Sequence, residues 1–273
     1  MVAYFVCAAL LRSDKEHERT VESVEIVVKD ADQRGFITPD KALRLIEDAG
    51  LNPVGKSIDS VDITAINDAI EEYCFTSEAV TYLDYEGTLT VELTQRTPLL
   101  RVRCNGGYDF YLTKDGYVLP VEPHATLNLP IVTGSIELPF GNTFKGDLGM
   151  WAAGGEKKYS ECYDFLSKLT KFVVYLEESK WQGYKCVQIN LITPKTQRSP
   201  KGAFVEPQVE LIPQLGNYVV ELGRLEQLED KIYRWRRFVE SGVVDMNGGV
   251  LNVEYDSQEI WKATKDKKKK KKH

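Results

Sequence analysis

Apolar and polar positions alternate most clearly between Thr88 and Val121, and the rest of the chain is read outward from that stretch. Thr88, Val91, Leu93 and Thr94 fit a strand with one buried face. Gln95-Arg96-Thr97-Pro98 breaks the pattern, because proline donates no backbone N–H and holds its predecessor extended. The chain does not turn back there. It resumes as Leu99-Leu100-Arg101-Val102, then forms a hairpin whose arms are Tyr108–Leu112 and Tyr117–Val121 around Lys114-Asp115-Gly116. A ribbon of this kind leaves one unit and starts another. A boundary is therefore expected at 97/98, with the proline marking a change of sheet and the short connections favouring a fairly rigid joint.

Upstream of the ribbon, the β-branched run Val24–Val28 predicts a first strand. Thr38-Pro39 supplies a helix N-cap with proline at the first helical position, and Leu43, Leu45, Ile46 and Ala49 lead to Gly50 as terminator. A second helix begins near Asp62 and gathers Ile63, Ile66, Ala69, Ile70 and Tyr73 on one face. Val80–Leu83 and Thr88–Leu93 flank Asp84-Tyr85-Glu86-Gly87 as a hairpin. The order is β-α-α-β-β, and a three-stranded sheet covered by two helices is the compact way to bury those faces.

Downstream, Leu129–Gly134 reads as a strand ending in a turn, and Gly141–Gly155, with five glycines and little periodicity, as a surface loop. Tyr159–Trp181 carries Cys162, Phe165, Leu166, Leu169, Phe172, Val173 and Leu176 at helical spacing, the stripe of a helix packed on a sheet. Cys186–Ile192, Val205–Ile212 and Tyr218–Gly223 read as strands. The helix Leu225–Glu240 turns Leu225, Leu228, Ile232, Trp235 and Val239 inward, and its three arginines, Arg234, Arg236 and Arg237, are expected mostly outward near the negative helix end. After Gly248-Gly249, the segments Val250–Tyr255 and Ser257–Ala263 close the fold as a strand pair. The expected class is α+β: a small β-α-α-β-β domain over 23–97, then a β-rich domain with two packed helices over 98–264.

Composition changes this picture little. With 273 residues, 42% apolar and 28% charged, the chain is an ordinary globular one with a buried core. The net charge of −6 hides an asymmetry, because Lys265–Lys272 holds seven lysines and one aspartate. Without that run the body carries 28 basic and 40 acidic residues, about −12, which argues against nucleic acid as a partner. The lysine-rich 265–273 segment is expected to be disordered, either a solubilising end or one attracted to an anionic surface. Five cysteines contain no Cys-x-x-Cys pair and read as core thiols, with a Cys162–Cys186 bridge left open. Three scattered histidines make a histidine-rich zinc site improbable, and Asp30–Gly35 lacks the third acid and closing glutamate of a calcium loop, so it reads as a polar turn.

No Gly-x-Ser-x-Gly elbow, Walker glycine loop or His-Glu-x-x-His pair points to catalysis, and no cofactor or small-molecule substrate is expected. Residues Val2–Leu11 are wholly apolar and Arg12–Arg19 wholly polar. That abrupt change resembles the end of a membrane span, so 1–22 is read as the remnant of a signal anchor and its polar linker; an amphipathic or fraying segment is the alternative.

Several motifs carry a family resemblance. The β-α-α-β-β unit, the strand exit Thr94-Gln95-Arg96-Thr97-Pro98, the hairpin Asp115-Gly116-Tyr117-Val118-Leu119-Pro120, Leu129-Pro130, Thr133-Gly134, Gly223 before a basic helix, and the ending Val253-Glu254-Tyr255-Asp256-Ser257 with Trp261 together resemble the FtsQ/DivIB family of bacterial cell-division proteins. The likeness runs from Val24 to Ala263. It implies a single-pass inner-membrane protein at the division septum, with a POTRA domain and a β-domain in the periplasm and no enzymatic activity. The implied partners are membrane proteins of the FtsB/FtsL type, added as a strand to the C-terminal sheet edge.

Carried onto this chain, that edge is Val253, Glu254, Tyr255, Asp256, Ser257, Ile260 and Trp261, with Tyr255 and Trp261 as aromatic anchors. Glu254 stands where relatives have a basic residue, so either the partner's charge differs too or that ion pair is absent. The 141–155 insertion, the shortened anchor and the lysine tail are further departures. A competing reading is a periplasmic POTRA-type chaperone or assembly module of an outer-membrane machine. Such proteins carry POTRA repeats leading to a barrel, and this sequence offers one unit and no array of barrel strands.

Overall fold

The computed structural model describes residues 19–31, 35–122, 127–193, 203–243, 246–255 and 258–263. The chain divides into two compact units that change over between Thr97 and Pro98, with Glu122 and Leu127 falling in the first.

The first unit places β1 (Ser23–Val28), α1 (Pro39–Asp48), α2 (Ile63–Glu71), β2 (Thr76–Leu83) and β3 (Thr88–Gln95) in a three-stranded sheet of order β1-β3-β2. β3 is central, parallel to β1 and antiparallel to β2. Both helices start where the capping chemistry puts them. The Thr38 hydroxyl accepts from the Lys41 N–H and the Asp62 carboxylate from the Ala65 N–H, each satisfying a donor that the first turn would otherwise leave unpaired. Helix α1 then stops at Gly50, whose φ of +72° is a left-handed value that glycine adopts without strain. Ala42 and Ile46 of α1, Ile66 and Ile70 of α2, and Leu89, Val91 and Leu93 of β3 are buried as this unit's core. Gln95 closes its end. The Oε1 atom accepts from the Phe36 and Ile37 N–H groups, both at 2.8 Å, while Nε2 donates to the Asp30 carboxylate at 3.1 Å.

The second unit is built on one ten-stranded mixed sheet of order β13-β12-β11-β10-β9-β7-β4-β5-β6-β8. Its strands are β4 (Pro98–Cys104), β5 (Tyr108–Thr113), β6 (Tyr117–Pro120), β7 (Ile131–Gly134), β8 (Gly146–Asp147), β9 (Cys186–Ile192), β10 (Gln208–Pro213), β11 (Asn217–Gly223), β12 (Asn247–Asn252) and β13 (Ile260–Ala263). Three helices join them: α3 (Leu148–Ala153), α4 (Lys157–Glu178) and α5 (Leu228–Ser241). Alternation decides the faces. Leu100, Val102, Val132, Ile189, Leu191, Val209, Leu211, Val220, Leu222 and Leu251 point to one side and form a common core with Phe165, Leu169, Phe172 and Leu176 of α4 and Ile232 and Trp235 of α5. Each such side chain contributes about 1.5–3 kcal/mol when fully buried, which makes this face the main source of the unit's stability.

One expectation needs correction here, and one open alternative is decided. The glycine-rich 141–155 stretch is not only a surface loop: it contains β8 and α3, and Leu148 is fully buried. Asp147 caps α3 through a 2.8 Å bond from the Met150 N–H, and Phe140, Phe144 and Trp151 meet ring to ring. Its five glycines hid a helix of only six residues, too short to show a period. The second unit therefore has a third helix beside the two expected. The bridge between Cys162 and Cys186 is not formed: both are buried thiols, and burial pushes each up to about 12. Cys7, the three histidines, residues 32–34 of the Asp30–Gly35 turn, the apolar 2–11 run and the lysine tail lie outside the described residues.

Candidate functional site

The sequence-derived edge residues sit around the last hairpin of the large sheet. β11 and β12 are parallel, so the chain must cross over through α5 before β12 can lie beside β11. β13 then returns antiparallel to β12, with Leu251 opposite Trp261 and Asn252 opposite Ile260. β13 is the last strand of the sheet, so its other side has no strand beside it among the described residues.

The two candidate anchors differ in placement. Trp261 faces the helices: its indole lies across Gly249, where an added Cβ would come within 2.3 Å of the ring, and its centroid is 6.0 Å from Phe238 and 6.3 Å from Tyr218. Its Nε1 is buried and has no acceptor among the described residues. Tyr255 instead is 54% exposed. Val253 is fully buried and extends the β11 pairing through a 3.0 Å bond from its N–H to the Glu221 carbonyl. Ile260 is exposed on the face away from the helices. Asp256 and Ser257 lie outside the described residues.

Glu254 lies flat over Gly223, whose missing side chain makes the room: a Cβ there would be 2.5 Å from the Glu254 Cγ. Its carboxylate accepts from the Gln208 amide at 3.3 Å. On the same outer face, register places Ile260, Asn252, Glu221, Glu210, Asn190 and Thr133 in one row across six strands. Asn252 donates to Glu221 and Asn190 to Glu210, so each carboxylate has an amide neighbour while the two face each other directly. Like charges in register destabilise a sheet. Glu210, Glu221, Asn252 and Glu254 border a groove of about 330 Å³ beside Ile260 and Lys262, and its character is acidic and polar.

A further correction concerns α5. Arg234 was expected outward with Arg236 and Arg237; it is 4% exposed. Nη1 donates to the Tyr255 and Gln258 carbonyls, the latter at 3.0 Å, and Nε to Asp230, also at 3.0 Å. Nη2 is buried with no acceptor among the described residues. Arg237 and Arg236 are exposed as expected and pair with Glu259 and Glu240. One turn earlier, Lys231 is likewise buried and donates to the Leu222 and Arg224 carbonyls at 2.9 and 2.8 Å. Both cations escaped the sequence reading. The signal available was their spacing of three, which places them on one face beside Ile232 and Trp235.

Among the described residues no group of three or more His, Cys, Asp or Glu is arranged to hold a metal, and no helix is long and apolar enough to cross a membrane.

Comparison with known proteins agrees with this architecture. A family model described as POTRA-like domain matches residues 19–94, and one described as FtsQ/DivIB, C-terminal related, matches residues 97–260. No curated protein matches the chain. With the three-stranded unit covered by the first model and most of the large sheet by the second, the chain belongs to the FtsQ/DivIB family of cell-division proteins.

Proposed function

We propose that this protein is a non-enzymatic assembly factor of the division machinery, which receives a strand from a membrane protein of the FtsB/FtsL type on the free side of β13. One observation carries the reading: β13 ends the sheet with a row of backbone N–H and C=O groups that no neighbouring strand takes up among the described residues. Such a row supplies affinity to an extended peptide, and alternating side chains supply selectivity. The contact set is Val253, Glu254, Tyr255, Asp256, Ser257, Ile260 and Trp261. Tyr255, the exposed aromatic, is the anchor that a partner would cover, whereas Trp261 acts from beneath by supporting the strand. With Glu254, Glu221 and Glu210 on one face, the partner strand carries a basic residue there in place of the acidic one that relatives meet. The protein works at the periplasmic face of the inner membrane at the septum, held there by an N-terminal anchor.

The test is capture of division proteins from a membrane extract by the full chain and by a set of variants with proline at 260, 261, 262 and 263 in turn. Proline at the positions whose N–H faces away from β12 removes a donor from the free edge and abolishes capture. Undiminished capture by all four would reject the edge.

A further inference from the structure

We infer that Arg234 is a positioning residue for partner binding: its buried guanidinium fastens the connection between β12 and β13 to helix α5 and so holds the last strand in the register that a partner reads. The consequence for binding rests on the strand-addition reading above; the fastening itself does not.

A strand of four residues with a neighbour on one side only belongs to the least stable part of a fold. Sheet hydrogen bonds alone give it little. The chain reaches it through Val253–Glu259, and Nη1 of Arg234 donates to two carbonyls of that connection, those of Tyr255 and Gln258. One nitrogen thereby holds the connection at two places, one after β12 and one before β13. Asp230, one turn earlier on α5, accepts from Nε and fixes the plane of the fork. Arg237, itself exposed, adds a pair with the partly buried Glu259, immediately before β13.

A cation at 4% exposure costs several kcal/mol in desolvation unless its partners are well placed, and here its Nη2 is left without one among the described residues. Helix α5 has a sufficient apolar stripe without it, in Leu228, Ile232, Trp235 and Val239. The position is thus not needed to seat the helix. What it does hold is the backbone leading into β13, and the paired device at Lys231 holds the backbone leaving β11. Lys231 thus pins the start of the crossover, and Arg234 the connection beyond β12, to the same helix.

The test uses the full chain and follows backbone amide exchange in 258–263 alongside partner capture. In Arg234→Met, which keeps the apolar stem, exchange over 258–263 accelerates about tenfold or more while β9 and β10 amides are unchanged, and capture falls in parallel. Asp230→Asn, on an exposed side chain, gives the same pattern at about two- to fivefold and serves if Arg234→Met fails to fold. A disulfide between Val250→Cys and Lys262→Cys, which are register partners, is then added to the Arg234→Met protein. It restores slow exchange and capture together. Unchanged exchange over 258–263 in the Arg234→Met and Asp230→Asn proteins overturns the fastening. A staple that restores slow exchange without capture also overturns it as a positioning role, since Arg234 would then be touching the partner. If the fastening holds but proline in β13 leaves capture intact, it is the strand-addition reading that falls.

Discussion

The two margins of the ten-stranded sheet are built in opposite ways. At one end β8 is two residues long, and the chain leaves it straight into α3, with Asp147 used up as the helix cap and the Leu148 N–H bonded to the Gly116 carbonyl at 3.1 Å. Nothing there is long enough to template another strand. At the other end β13 runs for four residues, carries Ile260 and Lys262 outward, and has no further strand beside it among the described residues. Natural sheets blunt exposed edges by shortening them, covering them or charging them. The β8 margin uses the first two devices and the β13 margin only a lysine. A sheet that seals one margin and leaves the other open has a direction of growth.

The sharpest way to break this contrast is to move the same lesion between margins. Proline at the positions of β13 whose N–H faces away from β12 lowers partner capture by about two orders of magnitude, measured by surface plasmon resonance with the captured partner, whereas Asp147→Pro leaves it within about twofold while lowering the melting temperature. Next in size is Tyr255→Ala. Because the ring is half exposed, its loss changes the melting temperature by under about 2 °C yet weakens the partner about thirtyfold, the size expected of an interface anchor. Trp261→Ala costs both binding and about 3 kcal/mol of local stability, since the indole packs on Phe238 and Tyr218.

Glu254→Lys weakens binding about five- to tenfold at low salt and less at 0.5 M, as expected of a partly screened charge at the rim. The smallest contrast appears at high pH, where both margins lose the core beneath them alike. Burial raises the Cys162 and Cys186 thiols from 9.0 to about 12 and the Tyr184 phenol from 10.0 to about 12. These are acids kept neutral by folding, so their stabilisation is complete below about pH 9 and is lost as pH rises towards 12. Thermal melts across that window fall steadily, and Cys162→Ala flattens the fall.

What the sequence made legible follows from the range of each interaction. Thr38-Pro39 and Asp62 announce their helices because a cap acts over three residues, and Gly50 ends one for an equally local reason. The alternation of 186–192 and 218–223 recovers β9 and β11 because a half-buried strand has a strict period of two. Strand order is another matter: that β9 lies between β7 and β10, or that β12 runs parallel to β11, depends on pairings that no local pattern contains. The same holds around the candidate edge. Arg234 sits among three arginines near a helix end, where the dipole explains all of them equally well. Only the tertiary structure brings the Tyr255 and Gln258 carbonyls to one of them. In sequence, Gly223 only ends one strand and Gly249 only precedes another, yet their missing side chains make room for Glu254 and Trp261.

The parallel pairing of β11 with β12 also sets a schedule. β12 cannot dock until the intervening α5 has been made and has folded back, and β13 cannot dock until β12 is in place. Every other described element precedes β13 in the chain. Among the described elements the open margin is consequently the last surface to form during synthesis, and a molecule stalled before β13 shows none of it. On the strand-addition reading, the partner would recruit only finished copies, so the order of the strands would itself proofread the assembly.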